Sequence, residues 1–304
     1  MKRTALGALA VLLLTLVIVG CSSFGLGDVV SAAFDPNKRA AVQEAANDTQ
    51  KAQEDFTPDQ EYYIGRTVAA TIMSDPRYPA SPNQSVREYL NLLGLSLAWA
   101  SDVPETFGGW HFQELDSREI NAFGAPGGFV MVSRELLRQA KSEDEAAAIL
   151  AHEISHVVLR HGMAAIDKAR KTAALTSIVK AGVLVAGSSE AQKLTATFGD
   201  VVGDIVKTMV NKGYSRDLEI QADATAAVLL QRAGYDPAAL VRVLQTMQAS
   251  WKTDGPGFMK THPSPADRIA AVQQVIAGLP PVAAVPAAAL AARQARFKAA
   301  FGKL

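Results

Sequence analysis

Only one cysteine stands in this chain of 304 residues, Cys21, so no intrachain disulfide can brace the fold. Net charge is missing too. Thirty basic residues balance thirty acidic ones, which removes the electrostatic footprint expected of a nucleic-acid binder. No segment recurs at a fixed period, so no tandem helical array adds a partner-binding surface. Nor is there an uninterrupted apolar run of about 20 residues, the length that spans a bilayer as a helix. What is present is 49% apolar content, enough to bury a sizeable core in one large domain or two small ones.

The first twenty residues read as a targeting segment rather than as part of the fold. Lys2 and Arg3 make a short basic start, Ala5 to Val19 is apolar, and Ile18-Val19-Gly20 places small residues just before Cys21. The ending resembles a bacterial lipoprotein signal, which implies acylation of Cys21 and a body tethered to a membrane outside the cytoplasm. By the sorting rule of such lipoproteins, Ser22 in place of Asp implies the outer membrane, facing the periplasm. The expected organisation is a signal peptide over 1–20, then a lipidated tether and polar helical arm over 21–56. A folded domain over 57–278 follows, then an Ala/Pro-rich basic tail over 279–304, expected as a peripheral helix or a loose end.

Within the domain, Thr57-Pro58-Asp59-Gln60 caps a helix running to about Ser74, and a second helix spans about Gln84 to Ala100. Trp110 to Leu115 alternates as a strand, Ile120 to Gly124 is a second extended piece, and Pro126-Gly127-Gly128 turns the chain into Phe129 to Val132. Lys171 to Gly187 is apolar but interrupted by Lys180, so a buried or surface-lying helix is expected there. Another helix is expected from about Glu190 to Asn211. Helices starting at Ser215, at Asp236-Pro237 and at Pro265 complete the domain.

The chain is organised around Ala146 to Gly162, which contains His152-Glu153-Ile154-Ser155-His156. Residues four apart share a face of a helix, so both imidazoles can reach one metal ion with Glu153 beside them. This is the zinc-peptidase pattern, two His ligands and a carboxylate general base. Ser142 and Glu145 form a capping box at the start of that helix, with Glu143 and Asp144 adding charge to its first turn. A catalytic zinc site needs a third protein ligand. His161 does not fit the spacing H-E-x-x-H-x-x-G-x-x-H, and on a continuing helix it points elsewhere, so it is set aside. Glu219, near the start of a separate helix, and His262, on a loop, remain.

HEISHVVLRHG, SRDLEIQAD and THPSPADR, preceded by NAFGAPGG, together resemble the HtpX-like zinc metallopeptidase family, over roughly Phe56 to Ala277. The resemblance implies an α+β, mostly α-helical, zincin-like metallopeptidase domain with a small β-sheet next to the HExxH helix. It implies zinc as cofactor, held by His152, His156 and Glu219, with Asp223 orienting a ligand histidine. It places His262 at the cleft, either plugging the open zinc position or assisting, and it makes Asn121, Ala122, Phe123 and Gly124 the edge strand that binds substrate. Arg216 is a further candidate for stabilising charge in the cleft. The expected activity is endoproteolysis of unfolded or misfolded envelope polypeptides, with Glu153 as general base. The alternative on the same residues is a catalytically latent, chaperone-like lipoprotein that holds unfolded chains.

Overall fold

The computed structural model describes residues 56–165, 202–203, 205–249, 262, 265–281 and 284–302. The expected signal peptide and polar arm, the apolar stretch at 171–187, most of the expected 190–211 helix and the loop around Gly255 lie outside these residues.

Two helices come first. Pro58–Ser74 (α1) starts behind Thr57, and Gln84–Trp99 (α2) is capped by Asn83, whose side chain accepts from the backbone of Val86. The strands are His111–Leu115 (β1), Ala122–Ala125 (β2) and Phe129–Ser133 (β3), close to the expected bounds. The sheet order is β1-β3-β2, with β3 parallel to β1 and antiparallel to β2. The tight connection Pro126–Gly128 makes the β2–β3 reversal. Gly127 sits there at φ 73°, and a Cβ on it would meet the Cα of Tyr62 at 2.6 Å, so glycine is required on two counts.

A six-residue helix, Arg134–Gln139 (α3), follows β3; its length is below what periodicity detects. The motif helix Glu143–Val158 (α4) is capped by Ser142, which accepts from the backbone of Glu145. Glu145 reaches back to the backbone N–H of Lys141 rather than to that of the cap. Then come Arg216–Arg232 (α5), Ala238–Ala249 (α6), Pro265–Gly278 (α7) and Ala287–Phe301 (α8). Before α5, Thr208–Lys212 forms a π-helical turn ended by Gly213.

The sheet is a thin layer between two apolar clusters, as the period-2 alternation of strands demands. Val130, Val132, Phe112 and Ala122 face α2, α4, α5 and α6. Met131, Phe123, Ala125 and Leu115 face α1 and the segment from Ile205 to Tyr214. Helix α4 runs through the first cluster and is buried over nearly its whole length, with Ala147, Leu150, Ala151 and Ile154 fully enclosed. Burial of each large aliphatic side chain of this kind contributes about 1.5–3 kcal/mol. That surrounding core fixes the position of every polar group that α4 carries.

Helix α8 is docked rather than loose. Phe297, Ala300 and Phe301 are buried, and Phe301 packs edge-on to Tyr89 of α2 at 5.1 Å. Its alanine-rich sequence gives little apolar periodicity, which is why the tail looked peripheral from sequence.

Candidate metal centre

His152 and His156 lie one turn apart on α4, and Glu219 comes from the first turn of α5, which packs along α4. The Nε2 atoms of the two histidines are 3.1 Å apart, and each lies 3.5 Å from a Glu219 carboxylate oxygen. His262 completes the group, its Nδ1 3.4 Å from His152 Nε2 and 2.8 Å from Glu219 Oε1. All four donors lie within 4.8 Å of one another and all four side chains are buried. Donors around a tetrahedral zinc bonded at about 2.1 Å sit about 3.4 Å apart, so the spacing fits that ion.

The charge balance fits as well. Glu153, Glu219 and Asp223 are buried carboxylates, and the guanidinium placed among them is that of Arg268. With both histidines neutral, as metal ligation requires, three carboxylates face one guanidinium, and a divalent cation would supply the balancing charge. Burial pushes the Glu219 carboxyl up, but His262 and Arg268 outweigh that and hold it well below the usual carboxylate range. Asp223 is likewise raised by burial and lowered further by Arg268, so it stays ionised. Burial alone would lower the His152 imidazole; Asp223 reverses the sign and lifts it to about 9. Among the described residues His156 has no such anion behind it, and burial takes it well below the ordinary histidine value. Glu153 is raised, chiefly by burial, and its Oε1 has no hydrogen-bond partner among the described residues.

Behind His152, Asp223 Oδ1 lies 2.9 Å from its Nδ1, one helical turn beyond Glu219. Arg268, on the first turn of α7, donates to both Asp223 oxygens from Nε and Nη2 at 2.7 and 2.8 Å and pairs with Glu219 at 3.0 Å. Sequence reading missed this residue. The available signals were its place in THPSPADR and its position on a helix face otherwise occupied by apolar Val272. Arg216, the expected cationic candidate, points the other way. Its side chain is 58% exposed and pairs with Asp267 at 3.4 Å.

Strand β2 passes close beside α4. A Cβ on Gly124 would meet the backbone oxygen of Glu153 at 2.4 Å, so only glycine permits the approach. Ala122, Phe123 and Gly124 lie on this edge strand of the sheet. Asn121 has a different place. Its buried side chain donates to the Tyr78 hydroxyl and accepts from the backbone of Ala122, which fixes where the strand enters. His161, set aside as a ligand, is not among the four donors, but the helix does not continue past it as assumed. It folds back to place Nδ1 2.9 Å from Nδ1 of His156.

A helix bearing paired histidines and a glutamate, a distal glutamate beside them and an edge strand alongside define a zincin-like peptidase domain. The sequence profile of Peptidase family M48 matches residues 84–276, and the chain belongs to that family, whose metal is zinc. It is 32% identical over 215 residues to the Beta-barrel assembly-enhancing protease of Escherichia coli K12, covering 69% of this chain and 41% of that protein. A Putative beta-barrel assembly-enhancing protease of Vibrio cholerae is 28% identical over 76% of this chain and 47% of its own length. The Mitochondrial metalloendopeptidase OMA1 of Schizosaccharomyces pombe is 32% identical over 54% of this chain and 46% of its own. The chain thus spans less than half the length of these relatives in the matched regions.

Proposed function

We propose that the chain is a zinc metalloendopeptidase that cuts extended, unfolded polypeptides, with His152, His156 and Glu219 as metal ligands and Glu153 as general base. The observation that carries this reading is the convergence of those donors at zinc-like spacing directly beside Glu153 and strand β2. Zinc, when bound, supplies the Lewis acidity that brings water into the neutral range of acidity and polarises a carbonyl. Glu153 takes a proton from the attacking water and returns it to the departing amine. Its enclosure suits that task, because burial raises its pKa toward the operating range. Substrate lies extended along β2, adding a strand to a sheet edge that is buried in this structure and must be uncovered first, which selects unfolded segments over compact domains.

His262 is the fourth donor of the cluster, placed either to plug the position that substrate needs or to assist the reaction there. Asp223 orients His152 through Nδ1, and Arg268 holds Asp223 in turn. The relatives named as proteases favour catalysis over a silent holding role. For location, the reading is an outer-membrane lipoprotein facing the periplasm, anchored by a lipid on Cys21, acting on misfolded envelope proteins. No described helix is long and apolar enough to cross a membrane.

The test is zinc content alongside digestion of an unfolded protein, for wild type and Glu153→Gln. One zinc per chain in both, with digestion lowered at least about 100-fold in the variant, is expected. Digestion by Glu153→Gln at the wild-type rate would sink the assignment. Should wild type hold zinc but stay idle, His262→Ala is expected to release activity.

A further inference from the structure

His161 is buried beside the metal cluster, yet the reading above gives it no task. Its position is produced by an unusual backbone. Helix α4 ends at Val158, and Arg160 then adopts φ 55°, the one non-glycine residue in the left-handed region among the described residues. Such a conformation is unfavourable for an L-residue and persists only where its surroundings impose it. Here Arg160 donates its backbone N–H to Val157 at 2.9 Å, and its guanidinium pairs with Glu61 of α1 at 3.1 Å. On an unbroken helix a residue five positions after His156 would lie about 140° round the axis and could not meet it. The kink brings the His161 ring back to His156, with centroids 5.0 Å apart.

The contact falls on one particular atom. His156 presents Nε2 to His152 and Glu219, so that nitrogen is the one available to a metal. The proton of the neutral ring must then sit on Nδ1. The group placed at Nδ1 is Nδ1 of His161, at 2.9 Å, while Tyr214 stacks on the ring face at 4.3 Å and 18°. We propose that His161 is a positioning residue, accepting the Nδ1–H of His156 and holding that ring in the tautomer and rotation that turn Nε2 to the metal. The inference rests on His156 being a ligand.

His161 therefore does for His156 what Asp223 does for His152, by different means. Asp223 is an anion braced by Arg268 and adds charge as well as direction. A neutral imidazole adds direction alone. The tension in the backbone at Arg160 is what places the acceptor on the correct side of the ring.

The experiment measures zinc affinity of the full chain by chelator competition, and the visible spectrum of its cobalt form, for wild type and three variants. His161→Leu fills the volume without an acceptor, His161→Ala removes both, and His161→Asn restores an acceptor near the position of Nδ1. The first two are expected to weaken zinc binding 10- to 100-fold and shift the cobalt bands. The Asn variant is expected to stay within about threefold of wild type. Melting of the metal-free chains, run in parallel, separates lost positioning from lost folding. Affinity unchanged in both Leu and Ala, or weakened equally in all three, would overturn the role of His161. Absence of metal uptake by wild type, with the chain folded, would overturn the ligand reading beneath it.

Discussion

The two ends of helix α4 bury charge in opposite ways. At its N-terminal end Glu143 is 2% exposed and fully answered by the protein. Tyr89 and Tyr235 donate to it at 3.0 and 3.2 Å, and Arg296 reaches it at 2.6 Å from α8. Arg293 of the same helix lies over the Tyr235 ring at 4.3 Å. One turn beyond the middle, His152, Glu153 and His156 meet carboxylates and a guanidinium in a set that, with neutral histidines, is balanced by a divalent cation. The first cluster is closed and acts as a fastener between helices. The second is left open at the atoms where chemistry is proposed. Burial of a charge alone therefore says little about function; what distinguishes the two is whether the protein completes the set.

Three substitutions test that contrast. The largest effect is expected for Arg268→Ala, which strips the counter-charge from both Asp223 and Glu219. Breaking such a buried group costs about 3–5 kcal/mol, and zinc affinity should fall with it. Denaturant melts and metal content check this, and a stable variant with full zinc would show that the open cluster does not depend on Arg268. Glu143→Ala should cost about 3 kcal/mol, because two buried hydroxyls lose their acceptor and α8 loses its tie. Zinc per folded chain should be unchanged; loss of zinc would mean that the two ends of α4 are not independent. Arg216→Ala should alter stability by less than about 0.5 kcal/mol and leave digestion unchanged, since the side chain is exposed and its pairing is at the surface. A large loss of digestion there would put Arg216 back in the cleft.

Much of the fold near the motif was legible, because its signals are local. Ser142 and the i, i+4 histidines marked α4, alternation in WHFQEL marked β1, and Pro126-Gly127-Gly128 marked the reversal. Glu219 and His262 were legible only as candidates until the resemblance joined the segments. What stayed hidden depends on distance along the chain. Glu143 looked like a helix-dipole charge, yet its guanidinium partner lies 153 residues away. Arg268 went unremarked, because its partner Asp223 is 45 positions before it. His161 is not among the four donors, as expected, but the helix geometry behind that expectation does not hold: periodicity assumes a straight helix, and a single left-handed residue breaks that assumption.

The four donor side chains sit on three segments far apart in sequence, at 152–156, at 219 and at 262. An unfolded chain therefore offers an incoming ion no ready chelate, only isolated groups separated by long loops whose closure is entropically unfavourable. The order of maturation follows from this: α4 and α5 must dock before His152, His156 and Glu219 can hold a metal together, and residue 262 joins them from a third segment. A chain that fails to fold stays without metal, and so without the means for the proposed cleavage.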